Sequence, residues 1–332
     1  MRNKLNEKIN KPIFVSGLAR SGSTILTNIL NVHADTGSFL YRDVPFIEMP
    51  SLWSFATRFF YAGIKEELRP HNDGLRIGPN SPDPFEEIIW KKYLDNYLDI
   101  NSQFIKRGYS NNNLETSLKK NILKILYVRG NKKRYLSKGN YNITRIEYIL
   151  KIFPDAKIIL CIRNPYNHVE SLVNVHNKFT DYCKKNKYLV KQLNILSHFE
   201  FGPQRKPICL NKINYKKILD LWSKSDHYLG YLIQWHDIYQ MVLKKYLISK
   251  KISNNILVID NQDLLLKPKE TITKILNFAD LEYKQNIFKQ MLSLVSKKMQ
   301  KSFKKKNRRK TYIDNTILKL YKKIKEISYK KK

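Results

Sequence analysis

The sequence predicts an α/β fold: a parallel sheet flanked by helices on both faces, with a basic helical C-terminal tail. Two observations carry this. Short continuous apolar runs occur at Ile13–Val15, in KIILCIR (157–163) and in NILVIDNQDLL (255–265), and such runs suit strands buried on both faces. Each run leads through a polar turn into a helical pattern, and strands alternating with helices argue for a covered parallel sheet. No internal repeat is visible.

In chain order, the opening strand enters a turn with two glycines and then a helix that runs to about residue 31. The stretch 41–63 is rich in aromatics, and 68–90 begins as a Pro/Gly/Asp-rich loop. Helical segments follow around residues 85 to 125. In ITRIEYILKIF, Ile143, Ile146, Ile149 and Leu150 fall at helical spacing, and Pro154-Asp155 ends that pattern before the second strand. NHVESLVNVHN and PKETITKILNFA read as helices after the second and third strands. From Lys297 the chain becomes strongly basic. Its last piece sets Ile317, Leu320, Tyr321, Ile324 and Ile327 on one face among lysines, a helix that could lie on an anionic membrane surface or pack on its own domain.

Composition bounds the function. The 332 residues, 42% of them hydrophobic, can bury a sizeable core. No run reaches the roughly 18 apolar residues of a membrane-spanning helix, and the N-terminus lacks the apolar centre of a signal peptide. Three cysteines, Cys161, Cys183 and Cys209, show no metal or redox spacing. A cytoplasmic protein is expected. The formal charge of +34 invites a nucleic-acid reading, but 48 of the 62 basic residues are lysines spread along the chain. Sequence readers lean on arginine, so a compositional bias explains most of the excess and nucleic acid is not the expected partner.

The stretch KPIFVSGLARSGSTILTNILN (11–31) carries the sharpest chemistry. A nucleotide P-loop reads G-x-x-x-x-G-K-[ST], with the lysine neutralising terminal phosphates. Here Gly17 and Gly22 keep the backbone frame, Ser23 takes the lysine's place, and the cation is Arg20 inside the loop. The glycines permit a nest of N–H groups at a helix N-terminus, which suits an anion arranged differently from a triphosphate.

With its R-S-G-S-T core, this P-loop-type segment resembles the 5′-phosphosulfate loop of sulfotransferases that use 3′-phosphoadenosine-5′-phosphosulfate (PAPS). The resemblance implies that Gly17, Arg20, Ser21, Gly22, Ser23 and Thr24 hold the 5′ end of that donor. A second match is the family's 3′-phosphate site, a strand ending in arginine with a serine eight residues later: Arg163 and Ser171 stand at that spacing. Independently, an arginine at a strand's carboxyl end offers a charge-assisted fork to a phosphate. NILVIDNQDLLLKP resembles the family's late strand. It also imitates the magnesium-binding strand of a kinase, with Asp260 ending an apolar run, so a P-loop kinase using ATP and Mg²⁺ is the rival reading, and a basic nucleic-acid binder a second.

The resemblance implies sulfuryl transfer from PAPS to a hydroxyl or amine by in-line displacement, which needs a base, cations and accurate positioning. Arg20 is one cation. Lys138 is another, since it occupies the place of a transition-state lysine in tyrosylprotein and related sulfotransferases. Asp43 stands where those enzymes carry a glutamate base, with Arg42 as its neighbour. His33, and His71 with Asp73, are the alternatives. No metal constellation appears. Phe46, Trp53, Phe55, Phe59, Phe60 and Tyr61 could wall an acceptor site or belong to the core. The expected organisation is a catalytic domain over residues 1–296 and a tail over 297–332, acting on a small-molecule, carbohydrate or lipid acceptor.

Overall fold

The computed structural model describes residues 7–50, 53, 57, 61, 64–68, 75–295 and 315–330. Among the described residues seven strands occur in chain order: β1 Ile13–Ser16, β2 Thr36–Gly37, β3 Glu67–Leu68, β4 Arg76–Ile77, β5 Arg134–Gly139, β6 Lys157–Ile162 and β7 Ile256–Asp260. The helices that matter below are α1 Ser23–Asn31, α2 Glu87–Tyr93, α3 Asn112–Val128, α4 Ile146–Ile152 and α5 Pro165–Lys185. They continue as α6 Lys187–Ile195, α7 Lys212–Ser223, α8 His227–Met241, α9 Asn261–Leu266, α10 Pro268–Phe278, α11 Gln285–Ser293 and α12 Asn315–Lys330.

The main sheet is five-stranded, in the order β2-β5-β1-β6-β7, and its pairings are all parallel; β3 and β4 form a separate antiparallel pair. Successive side chains of a strand face opposite sides, and the apolar runs divide accordingly. Phe14, Ile158, Leu160, Ile256 and Val258 belong to one core, packed by α3, α4, α5, α8 and α12. Ile13, Val15, Ile159, Cys161, Leu257 and Ile259 belong to the other, packed by α1, α9, α10 and α11. The expected covered parallel sheet is therefore present, and the continuous apolar runs are its two-sided strands.

Two elements depart from the sequence expectation. Ile143 lies not in a helix but in a 3-10 turn, Tyr141–Thr144, ahead of α4. Interior strand β5 (RYLSKG), between β2 and β1, lacks an apolar run, yet it is buried throughout. Its polar groups are answered by distant segments: the Arg134 guanidinium donates to the Lys11 carbonyl at 2.6 and 2.8 Å and to the Asp280 carbonyl at 3.1 Å. Such a strand is invisible to hydrophobic pattern because its partners are tertiary.

The C-terminal helix α12 packs on the sheet. Ile317, Leu320, Tyr321 and Ile324 are buried in the first core. The Lys325 ammonium pairs with Asp260 at 2.7 Å and Asp263 at 3.1 Å, and Ser328 donates to the Val258 carbonyl at 2.7 Å. Among the described residues, no helix is long and apolar enough to cross a membrane.

Candidate active site

Because the strands run parallel, Ser16, Gly139, Ile162 and Asp260 end at one edge of the sheet, the edge where open α/β sheets bind ligands. The β1–α1 loop turns back there. Gly17 has φ 144°, and a Cβ on it would stand 2.5 Å from the Cys161 carbonyl oxygen; Gly22 has φ 104°, and a Cβ there would stand 2.4 Å from Asn261 Oδ1. Both positions therefore demand glycine for conformation and for room. Arg20, at φ 73°, holds a left-handed backbone that costs a non-glycine residue about 1–2 kcal/mol.

The chemistry of this loop suits an anion. No side chain caps α1 and no acidic residue lies in its first turn, so its leading N–H groups keep their partial positive charge. Ser21 is fully buried, and its hydroxyl has no hydrogen-bond partner among the described residues. An orphaned hydroxyl beside an uncapped helix start fits a phosphate or sulfonate oxygen. Ser23 and Thr24 open α1 itself.

Arg163 and Ser171 come to this same loop. Arg163 Nη1 donates to the Arg20 carbonyl at 3.1 Å, and Arg20 Nε donates to Ser171 Oγ at 3.1 Å. Asn164 directs the chain between them by capping α5, accepting from the N–H groups of Tyr166 and Asn167. One turn before Ser171, His168 Nε2 donates to the Ala19 carbonyl at 2.7 Å. The carbonyl fixes the proton on Nε2 and the neutral tautomer. Burial, reinforced by the Arg163 and Arg20 charges, pulls the His168 pKa down to about 3 from 6.5.

That depression has a measurable consequence. Between pH 6.5 and about 3 the unfolded chain binds a proton at His168 that the folded chain refuses, so stability is full above that window and falls as the pH drops through it. The slope expected from one such histidine is about 1.4 kcal/mol per pH unit. His176, also held down to about 3 by burial and then by Arg205, adds a second contribution of the same sign. Urea denaturation at several acidic pH values reads the slope, and His168→Gln is expected to remove its share.

Lys138, near the end of β5, forms an ion pair of 2.6 Å with Asp83, whose other oxygen accepts from the Tyr41 hydroxyl at 2.6 Å. Opposing its burial, the Lys138 charge and these hydrogen bonds hold the Asp83 carboxyl well below the carboxylate range. Ser16, entering the phosphate loop, donates to the Gly139 carbonyl at 3.0 Å, so the lysine's strand is tied to the cradle.

Asp43 stands elsewhere. It is 1% exposed, accepts the Leu40 N–H at 2.7 Å and makes a short ion pair with Arg129. Its carboxylate is engaged by a buried guanidinium and a backbone donor, an arrangement suited to anchoring the turn. His33 lies beyond the far end of α1, with Nε2 donating to the Glu282 carbonyl at 2.9 Å, so it braces the helix end. His71 and Asp73 lie outside the described residues, as do Phe55, Phe59 and Phe60. Trp53 stacks edge-on against Phe46 and donates to the Arg42 carbonyl at 2.9 Å. Asp83, His198 and Glu200 escaped the sequence reading, because no motif spacing joins them to the loop.

Fold and site define an α/β protein with an anion cradle at its sheet edge and cations converging on it. The chain belongs to the sulfotransferase family: the profile described as "Sulfotransferase family" matches residues 12–201, more than half its length. No curated protein matches it. Among solved structures it is similar to sulfotransferase STF9 from Mycobacterium avium, at 15% identity over 88% of this chain and 69% of that one, with a TM-score of 0.49. For sulfotransferase STF1 from Mycobacterium tuberculosis the values are 15%, 89%, 74% and 0.48. For the sulfotransferase domain from the curacin biosynthetic pathway they are 12%, 96%, 99% and 0.47.

Proposed function

We propose that the protein is a PAPS-dependent sulfotransferase acting on a hydroxyl or amine acceptor, of small-molecule, carbohydrate or lipid class, by in-line displacement. One observation carries the reading: the Arg163 guanidinium and the Ser171 hydroxyl converge on Arg20 and its loop, so groups suited to a 3′-phosphate adjoin a cradle suited to a 5′-phosphosulfate. The buried, unpartnered Ser21 hydroxyl and the two glycines without room for a Cβ fit that ligand.

When bound, PAPS supplies the activated sulfuryl group. Gly17, Ser21, Gly22, Ser23 and Thr24 present the helix start and its hydroxyls to the 5′ end, with Arg20 as the cation. Arg163 and Ser171 take the 3′-phosphate, and Arg163 then exchanges the Arg20 carbonyl for a charged partner. Lys138 sits poised as a charge-neutralising group, held by Asp83. Sulfonate carries less charge than a terminal phosphate, so side-chain cations suffice in this role. Residues 1–296 form the catalytic domain in this reading, and 297–332 a basic tail whose helix docks back on it.

The kinase reading needs Asp260 for a metal. Its oxygens are taken by the Tyr321 hydroxyl, the Lys325 ammonium and the Gln262 N–H, which ties it to α12 instead. The discriminating measurement is ligand-dependent thermal unfolding. Adenosine 3′,5′-bisphosphate at about 100 times its Kd is expected to stabilise the fold by about 2.7 kcal/mol, and ATP with Mg²⁺ to do far less. The reverse order overturns the proposal.

A further inference from the structure

A polar network leads from the end of β5, which Ser16 ties to the phosphate loop, to a histidine. Asn140, two residues after Lys138, donates from Nδ2 to Glu200 Oε1 at 2.6 Å. Glu200 Oε2 lies 3.6 Å from His198 Nδ1. The segment carrying both is held rigidly: the Phe199 N–H donates to the Tyr141 hydroxyl at 3.0 Å, and the Tyr231 hydroxyl donates to the Glu200 carbonyl at 2.9 Å. Glu200 is buried, whereas the His198 side chain keeps 19% exposure. At 3.6 Å the contact between the two is an ion pair and not a hydrogen bond; Nδ1 is the ring nitrogen that faces the carboxylate, and Nε2 is the one turned from it. The other charges acting on His198 are Asp83 and Lys138, a pair carried in part by β5.

We propose that His198 is the general base of the transfer, with Glu200 as the neighbouring charge that stabilises its imidazolium. The assignment rests on the sulfotransferase reading above. As the acceptor oxygen bonds to sulfur, its proton passes to His198 Nε2, and the electron pair of the breaking sulfur–oxygen bond leaves with the 5′-phosphate. Asp83 is unsuited to the task, because Lys138 and Tyr41 occupy both its oxygens. His198 suits it better: against burial, which lowers its pKa, Glu200 and Asp83 raise it above the ordinary histidine value, giving a base strengthened by its carboxylate partner.

Four readouts test this. Carbon-13 NMR titration of the His198 ring, assigned by its absence in His198→Asn, is expected to show a raised pKa that falls in Glu200→Gln. Transfer of labelled sulfate from PAPS into an extract of the source cells is expected to drop by about 10²- to 10⁴-fold in His198→Asn. Adenosine 3′,5′-bisphosphate affinity, measured by calorimetry, should stay within about threefold of wild type, since the histidine grips neither phosphate. In Glu200→Gln the rising limb of the pH–rate profile should move to lower pH, with a lower plateau. A His198→Asn protein that binds the bisphosphate and transfers sulfate near the wild-type rate overturns the assignment. So does a His198 titration that ignores Glu200→Gln. Failure of the wild type to bind the bisphosphate instead sinks the cofactor reading, a distinct outcome.

Discussion

Arg163→Ala is expected to weaken adenosine 3′,5′-bisphosphate binding by about 10- to 150-fold, the equivalent of about 1.5–3 kcal/mol for a charge-assisted hydrogen bond. The guanidinium stands at the carboxyl end of β6 with Nη1 on the Arg20 carbonyl, so the side chain is already positioned at the loop before any ligand arrives. Its removal takes away a cation and one brace of a loop that holds Arg20 in a strained left-handed backbone. Arg163→Lys separates the two effects. The ammonium keeps the charge but lacks the planar fork, so affinity should recover only in part. Isothermal calorimetry gives both numbers, and an Arg163→Ala protein of unchanged affinity would remove the 3′-phosphate site from this position.

The largest expected loss of stability lies away from the cradle. Arg145, just before α4, is 2% exposed and forks onto Glu87 of α2: Nη1 donates to Oε1 at 2.9 Å and Nη2 to Oε2 at 2.5 Å. Its Nε donates to Asn142 Oδ1 at 2.9 Å, and the guanidinium lies 3.9 Å over the Trp90 ring. Tyr97 donates a further short hydrogen bond to the same carboxylate. Arg145→Ala strands the Glu87 charge in the interior, and breaking such a buried pair costs about 3–5 kcal/mol. The paired change Arg145→Met with Glu87→Leu removes both charges and should recover much of that loss. Urea midpoints of the three proteins decide the point. If the single and double variants are equally unstable, the cost lies in packing and not in the stranded charge.

Different physical signals made different parts of this protein legible. The cradle could be read from residue order because its chemistry is local: two glycines, a cation and hydroxyls within eight residues dictate a tight turn before a helix. Strands β1, β6 and β7 were legible because burial on both faces requires uninterrupted apolar residues. Arg163 and Ser171 were legible as a spaced pair because they stand at the separation that the resemblance to the sulfotransferases implies. None of these signals extends to a group whose role depends on a partner far away in sequence. Asp43 shows this: its distance from the loop suggested chemistry, yet Arg129, 86 residues on, claims its carboxylate.

By itself, then, the sequence determined the fold class, the glycine-framed loop and the spacing of Arg163 and Ser171, because each rests on backbone conformation and burial within a single strand–loop–helix unit. Only the tertiary structure decided which charges are committed and which stay available. It seated Asp260 against α12, set Asp83 on Lys138, and brought Glu200 to Asn140 beside His198. The physical reason is that a buried charge must find its partner wherever the chain can supply one, and that partner is chosen by packing across the sheet rather than by neighbours in sequence.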